Sequence, residues 1–157
     1  MYLRILVPID HSEAATAAFG HALELAKLMN STLHLVHVEN IARSSIAAGV
    51  IPGFEFPAYN EQRETNIQHS QALLNRLAEV ASQQEVKCTT RLIEEWGGNP
   101  ADTLLNAANA FNADLIVMGT HGYSGFMQLI FGSISESLLH KSRVPVLLIR
   151  KDEDHDE

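Results

Sequence analysis

The chain is expected to fold as an α/β domain: a doubly wound, five-stranded parallel sheet with helices on both faces. Two observations carry this expectation. Five short, strand-like apolar runs alternate with helical patterns along 157 residues, and such alternation favours a parallel sheet covered on both sides. The length suits one domain, and 46% apolar residues suffice for a sizeable core.

The elements follow in order. Leu3 to Ile9 is an apolar run broken at Pro8 and Asp10 and reads as a buried strand. Ser12 suits an N-cap, and Ala15, Phe19, Ala22, Ala26 and Met29 follow at helical spacing until Asn30 and Ser31. Thr32 to Val38 is a second strand. The stretch 39–62 has no clear periodicity and contains Gly49, Pro52, Gly53 and Pro57, so it reads as one long loop. Phe54, Phe56 and Tyr59 lie in it, as a lid, as an arm onto a second subunit, or as aromatics packed locally.

A helix is expected from Glu64 to about Ser82, with Ile67, Ser70, Leu74, Leu77 and Ala81 on one face. Val86 to Ile93 alternates as a strand with one half-buried face. Asn99 as N-cap and Pro100 at the first helical position open the next helix. Asp114 to Met118 is a fourth strand, Gly119 to Phe131 a glycine-containing loop, Ser133 to about Ser142 a helix, and Val144 to Ile149 a fifth strand. Residues 151–157 form an acidic tail.

Charge and composition exclude several classes. A net charge of -8 disfavours nucleic acid and anionic membrane surfaces as partners. No apolar run approaches the ~20 residues of a membrane span. The N-terminal run is too short for a signal peptide. One cysteine, Cys88, rules out an intrachain disulfide and fits a reducing, cytoplasmic setting. Cys88 reads as a small buried hydrophobe and Trp96 as a packing residue. His34 and His37 sit three apart on a strand and point to opposite faces, and His21 with Glu24 reads as a solvated pair, so no metal site is expected.

In a doubly wound sheet, ligands bind beyond the carboxyl ends of the strands. The first strand ends at Pro8-Ile9-Asp10, and the fourth runs into Gly119-Thr120-His121-Gly122, with Gly132-Ser133 following at the start of a helix. Gly119 and Gly122 suit positive φ and a close approach to a ligand. The free N–H groups at Gly132 and Ser133, aided by the Ser133 and Ser135 hydroxyls, suit phosphate. Asp10 suits a ribose or a base amine. The chain has no G-x-x-x-x-G-K-[S/T] loop and no G-x-G-x-x-G after its first strand. In Gly122-Tyr123-Ser124-Gly125-Phe126 the second glycine falls one place early for a nucleophile elbow.

The spacing Gly119-x2-Gly122-x9-Gly132-Ser133 resembles the G-x2-G-x9-G-[S/T] motif of ATP-binding universal stress proteins. The opening Ile5-Leu6-Val7-Pro8-Ile9-Asp10-His11-Ser12 and the closing Val144-Pro145-Val146-Leu147-Leu148-Ile149 are similar to that family's first and last strands. The resemblance implies a domain over 1–150 and strand order 3-2-1-4-5. It implies that Pro8, Asp10 and Val38 hold the nucleoside, that Met118, Gly119 and Thr120 line base and ribose, and that Gly122, Gly132, Ser133, Ile134 and Ser135 cradle phosphates. His121 stands where many relatives carry a basic side chain. The ligand implied is ATP with Mg or Mn, or another adenine nucleotide, and the role that of a nucleotide-dependent stress-response regulator or sensor with an unidentified protein partner. The alternatives are a slow ATPase or phosphotransferase, for which His121 and Glu136 are the only candidate groups, and a dimeric interaction protein binding AMP or no nucleotide. No catalytic residue is assigned. A fifth strand this apolar at a sheet edge suits pairing with a second copy through Val144–Ile149.

Overall fold

The computed structural model describes residues 1–41, 57–120 and 133–150. Their elements run β1 (Arg4–Pro8), α1 (Glu13–Met29), β2 (Thr32–Asn40), α2 (Pro57–Gln83), β3 (Lys87–Glu95), α3 (Pro100–Phe111), β4 (Leu115–Gly119), α4 (Ser133–Lys141) and β5 (Val146–Ile149). All five strands are parallel, in the order β3-β2-β1-β4-β5. The expected fold class and strand order are therefore both found.

Strand side chains alternate between the two sheet faces, so each strand feeds two cores. Ile5, Val7, Leu33, Leu35 and Val117 pack under α1 and α2, against Ala18, Phe19, Ala22, Leu74 and Leu77. Leu6, Val36, Ile116 and Met118 pack on the other face, against Ala101, Leu104 and Ala108 of α3 and Leu138 of α4. Burying a Leu, Ile or Val fully stabilises by roughly 1.5–3 kcal/mol.

The helix ends explain themselves locally. Ser12 caps α1, its Oγ accepting from Ala15 N at 3.1 Å. Asn99 caps α3, its Oδ1 accepting from Ala101 N at 3.0 Å, with Pro100 following where no N–H is needed. Both helices stop on an asparagine in the left-handed region, Asn30 at φ 54 and Asn112 at φ 53. The Asp114 carboxylate then accepts from Leu3 N (2.8 Å) and Arg4 N (3.0 Å), tying the start of β4 to that of β1.

Three expectations need correction. The stretch 39–62 is not one loop. Glu39 and Asn40 finish β2 in register with Glu94 and Glu95 of β3, and α2 begins at Pro57 rather than Glu64. Residues 42–56, with Phe54 and Phe56, lie outside the described residues, as does the side chain of Tyr59. Trp96 does not pack inside: it is 65% exposed, with the Arg63 guanidinium 5.1 Å from its ring. The left-handed Gly97 (φ 100) turns the chain just after it. Cys88 is only half-buried rather than fully so, and desolvation pushes its thiol up to about 11.

The two sheet edges differ. β3 is nine residues long and exposes Lys87, Thr89, Arg91 and Glu94. β5 has four residues, all apolar, with Leu147 40% exposed. Among the described residues no helix is long and apolar enough to cross a membrane.

Candidate functional site: a cavity at the carboxyl ends of β1, β2 and β4

β1 lies at the centre of the sheet; the chain builds outward from it through β2 to β3, then crosses back to place β4 and β5 on its other side. The crevice created by such a reversal is where ligands bind in this architecture. A cavity of about 310 Å³ occupies this place. That is near the small end of the ~300–1,000 Å³ usual for small-molecule sites.

The apolar part of the lining is Val36 and Val38 of β2, Leu104 of α3, Met118 of β4 and Ile134 of α4. The polar part is Asp10, Ser12, His37, Asn40, Thr120 and Ser135. A ligand that joins a flat base to a polyhydroxyl or phosphate group would satisfy both kinds of lining. No lysine or arginine is among the described lining residues; among these residues, backbone dipoles are the groups suited to meet charge on a ligand. The first turn of α4 supplies them, through Ile134 and Ser135, whereas at the start of α1 the N–H groups of Ser12 and Ala15 are already given to Asp10 Oδ1 and Ser12 Oγ.

Asp10 is held firmly. Its Oδ1 accepts from Ser12 N at 2.8 Å and from the Ser12 hydroxyl, leaving Oδ2 without a hydrogen bond among the described residues. The chain leaving β1 is fixed too, with Ile9 N donating to Val36 O at 2.8 Å. Thr120 differs from both. Its backbone N donates to Ile149 O at 3.0 Å, but its Oγ1 has no partner among the described residues, although the residue is only 3% exposed. A buried hydroxyl with no partner costs about 1–3 kcal/mol, so this atom suits a ligand that accepts from it or donates to it.

Gly119 lines the cavity for a different reason from the one expected. Its φ is not positive; among the described glycines only Gly97 has that conformation. Instead, a Cβ at Gly119 would stand 2.6 Å from the Ala14 carbonyl carbon and oxygen. The glycine lets β4 run against the first turn of α1.

The cavity thus gathers Pro8, Asp10, Val38, Met118, Gly119, Thr120, Ile134 and Ser135 of the expected set. Ser133 is the first residue of α4. Gly122, Gly132 and His121 lie outside the described residues. The sequence reading missed His37 and Asn40 on β2 and Pro100 at the start of α3. The signal for Pro100 was present, since Asn99-Pro100 marks a helix start just past a strand end. His34 and His37 do face opposite sides. His34 stacks on Phe111 of α3 at 4.5 Å, whereas His37 meets His11, ring to ring, at 6.1 Å. Burial, followed by Arg91 and Arg4, lowers the pKa of His34.

The fold and the cavity can be set beside known proteins. Residues 1–150 match the universal stress protein family. Universal stress protein YxiE of Bacillus subtilis is 30% identical, covering 96% of this chain and all (100%) of its own. A universal stress protein family structure from Burkholderia pseudomallei superposes with TM-score 0.74 at 30% identity, covering 94% of this chain and 96% of its own. Two more distant structures share the fold, each with TM-score 0.63 and 21% identity. One is a universal stress protein in complex with cAMP, covering 95% of this chain and 97% of its own. The other, from Archaeoglobus fulgidus, is in complex with dAMP and covers 94% and 97%. The order of the strands, the match over nearly the whole length and the kinship with YxiE agree: the chain belongs to the universal stress protein family.

Proposed function

We propose that the chain binds an adenine nucleotide, ATP with Mg or Mn first among them, in the cavity at the ends of β1, β2 and β4, and acts as a nucleotide-dependent regulator in the cytoplasm. The observation that carries this reading is the buried Thr120 Oγ1, without a partner among the described residues, in a cavity lined by both apolar and polar side chains. The cAMP and dAMP complexes of two fold relatives support it.

In this reading the base lies against Val38 and Met118, beside Pro8 and Gly119. The free Oδ2 of Asp10 accepts from the ribose. The phosphates run toward the N-terminus of α4, where Ser133, Ile134 and Ser135 offer N–H groups, with Gly122 and Gly132 completing the cradle. Among the described residues no three metal-ligating side chains stand together, so a divalent ion would be held chiefly by phosphate oxygens and water. His37 is engaged through both ring nitrogens, and in this reading the Asp10 Oδ2 is taken up by the ribose. This favours binding over fast hydrolysis, which needs a free base beside the reacting phosphate.

Calorimetric titration of nucleotide-stripped protein with Mg-ATP, with phosphate release followed on the same sample, tests the proposal. Saturable binding with negligible release is expected, and Gly132→Val should abolish it. Absence of binding by the native chain would overturn the reading.

The family resemblance and the apolar edge of β5 together support a homodimer through Val144–Ile149, with Leu147 at its centre. Light scattering at micromolar concentration should give twice the chain mass, falling to the monomer in Leu147→Lys. A native monomer would refute the dimer.

A further inference from the structure

We infer that His37 is a positioning residue of the cavity: its protonated ring ties the end of β1 to Glu39, and so couples the placement of Asp10 to a proton. This rests on the nucleotide-binding reading for its functional meaning, but not for its geometry.

His37 is 7% exposed, on the strand next to β1. Its Nδ1 donates to the Ile9 carbonyl oxygen at 2.7 Å, and its Nε2 meets Glu39 Oε2 at 2.8 Å. A carbonyl oxygen and a carboxylate are both acceptors. A neutral imidazole carries one N–H, so it would turn a lone pair toward one of them. Only the imidazolium makes both bonds. The Ile9–Asp10 peptide is where this matters. Ile9 N is held by Val36 O and the Ile9 carbonyl by His37, so the residue before Asp10 is fixed from β2 on both sides, and the Ile9–Asp10 peptide itself is held at its carbonyl by His37. Ser12 then fixes the carboxylate itself.

The ionisable groups on the elements packed around His37 are few among the described residues. His11, after β1, has its ring centroid 6.1 Å away and its Nε2 within 3.2 Å of Ser70 Oγ of α2. Asp10 follows Ile9. Glu13 is the acidic residue of α1's first turn. Glu94 of β3 is paired with Arg63 of α2. Asp102 of α3 is paired with Lys141. Glu39 is thus the carboxylate in direct contact with the ring.

The sign follows from the bonding. On the acid side of the imidazole's titration both bonds hold and Asp10 is placed. On the alkaline side one bond is lost, and nucleotide affinity falls. Loss of one charge-assisted hydrogen bond corresponds to a roughly tenfold change.

Two measurements test this, on the native chain and His37→Gln. The first needs no ligand: ring 15N spectra across pH, with the His37 signals identified by their loss in the variant. Expected are two N–H nitrogens on the acid side, and an Asp10 amide resonance that moves with the ring's own midpoint. A ring with one bare nitrogen throughout, or an Asp10 amide indifferent to it, would overturn the inference. The second is calorimetry with cAMP, whose phosphodiester does not titrate in this range, at about pH 5.5 and about pH 8.5. The native affinity should fall about tenfold toward the alkaline end, and that of His37→Gln should stay flat. Equal pH dependence in both proteins would also overturn it. If neither cAMP nor Mg-ATP binds at either pH, the nucleotide reading fails, and the ring spectra still decide whether His37 places Asp10.

Discussion

Gly119→Ala should unfold the protein far more readily than its single methyl suggests. The added Cβ would lie 2.6 Å from the backbone of Ala14, and 2.7 Å from its side chain. A flexible side chain can swing away from such an intrusion, but a peptide group in the first turn of a packed helix cannot. Overpacking typically costs about 1–3 kcal/mol, and a backbone obstacle places this substitution at the upper end, about 3 kcal/mol. At about 2–4 °C per kcal/mol for a chain of this size, Tm should drop by roughly 6–12 °C. The displaced turn carries Ser12 and with it Asp10, so nucleotide affinity should fall in the protein that remains folded. Gly20 supplies the control. It lies inside α1, and a Cβ added there would meet nothing within 4 Å, so Gly20→Ala should stabilise by about 0.5–1 kcal/mol. Thermal denaturation of the two variants should therefore give shifts of opposite sign. Equal shifts would mean that the contact with Ala14 is unimportant.

Thr120→Val should separate stability from binding. In the ligand-free protein the Thr120 hydroxyl is buried without a partner among the described residues, so replacing it with a methyl removes a desolvation penalty. Stability should rise by about 1 kcal/mol, since the backbone bond from Thr120 N to Ile149 O is retained. If the hydroxyl is reserved for a ligand, nucleotide affinity should fall about tenfold at the same time. Denaturant titration with and without Mg-ATP measures both quantities. A variant that loses stability and keeps affinity would show that the hydroxyl serves the fold.

What the sequence disclosed, and what it hid, divides along the range of the forces involved. Local signals were legible. Ser12, Asn99-Pro100 and Asn30 mark helix ends through bonds made within a few residues. The apolar runs of β1 and β4 mark strands buried on both faces. The strand order came through the resemblance rather than from any one segment. The start of α2 was missed because residues 57–63 have no apolar period, so nothing local distinguishes a polar helical turn from a loop. Gly119 was noticed for the wrong reason: a contact with Ala14, at the far end of the chain, leaves no local trace. The orphaned Thr120 hydroxyl is likewise a product of tertiary burial. The His37–Glu39 pair could have been found, because residues two apart on a strand share a face.

The unequal edges of the sheet bear on how far self-assembly can go. If the four apolar residues of β5 join the same strand of another copy, the contact is its own complement, and two chains close around a two-fold axis. A filament would instead need β5 of each copy to dock on β3 of the next. That edge is more than twice as long and displays Lys87, Arg91 and Glu94, which oppose apolar edge-to-edge growth. A sheet with one adhesive side and one charged side thus carries its own stopping rule: a pair can form without seeding a fibre.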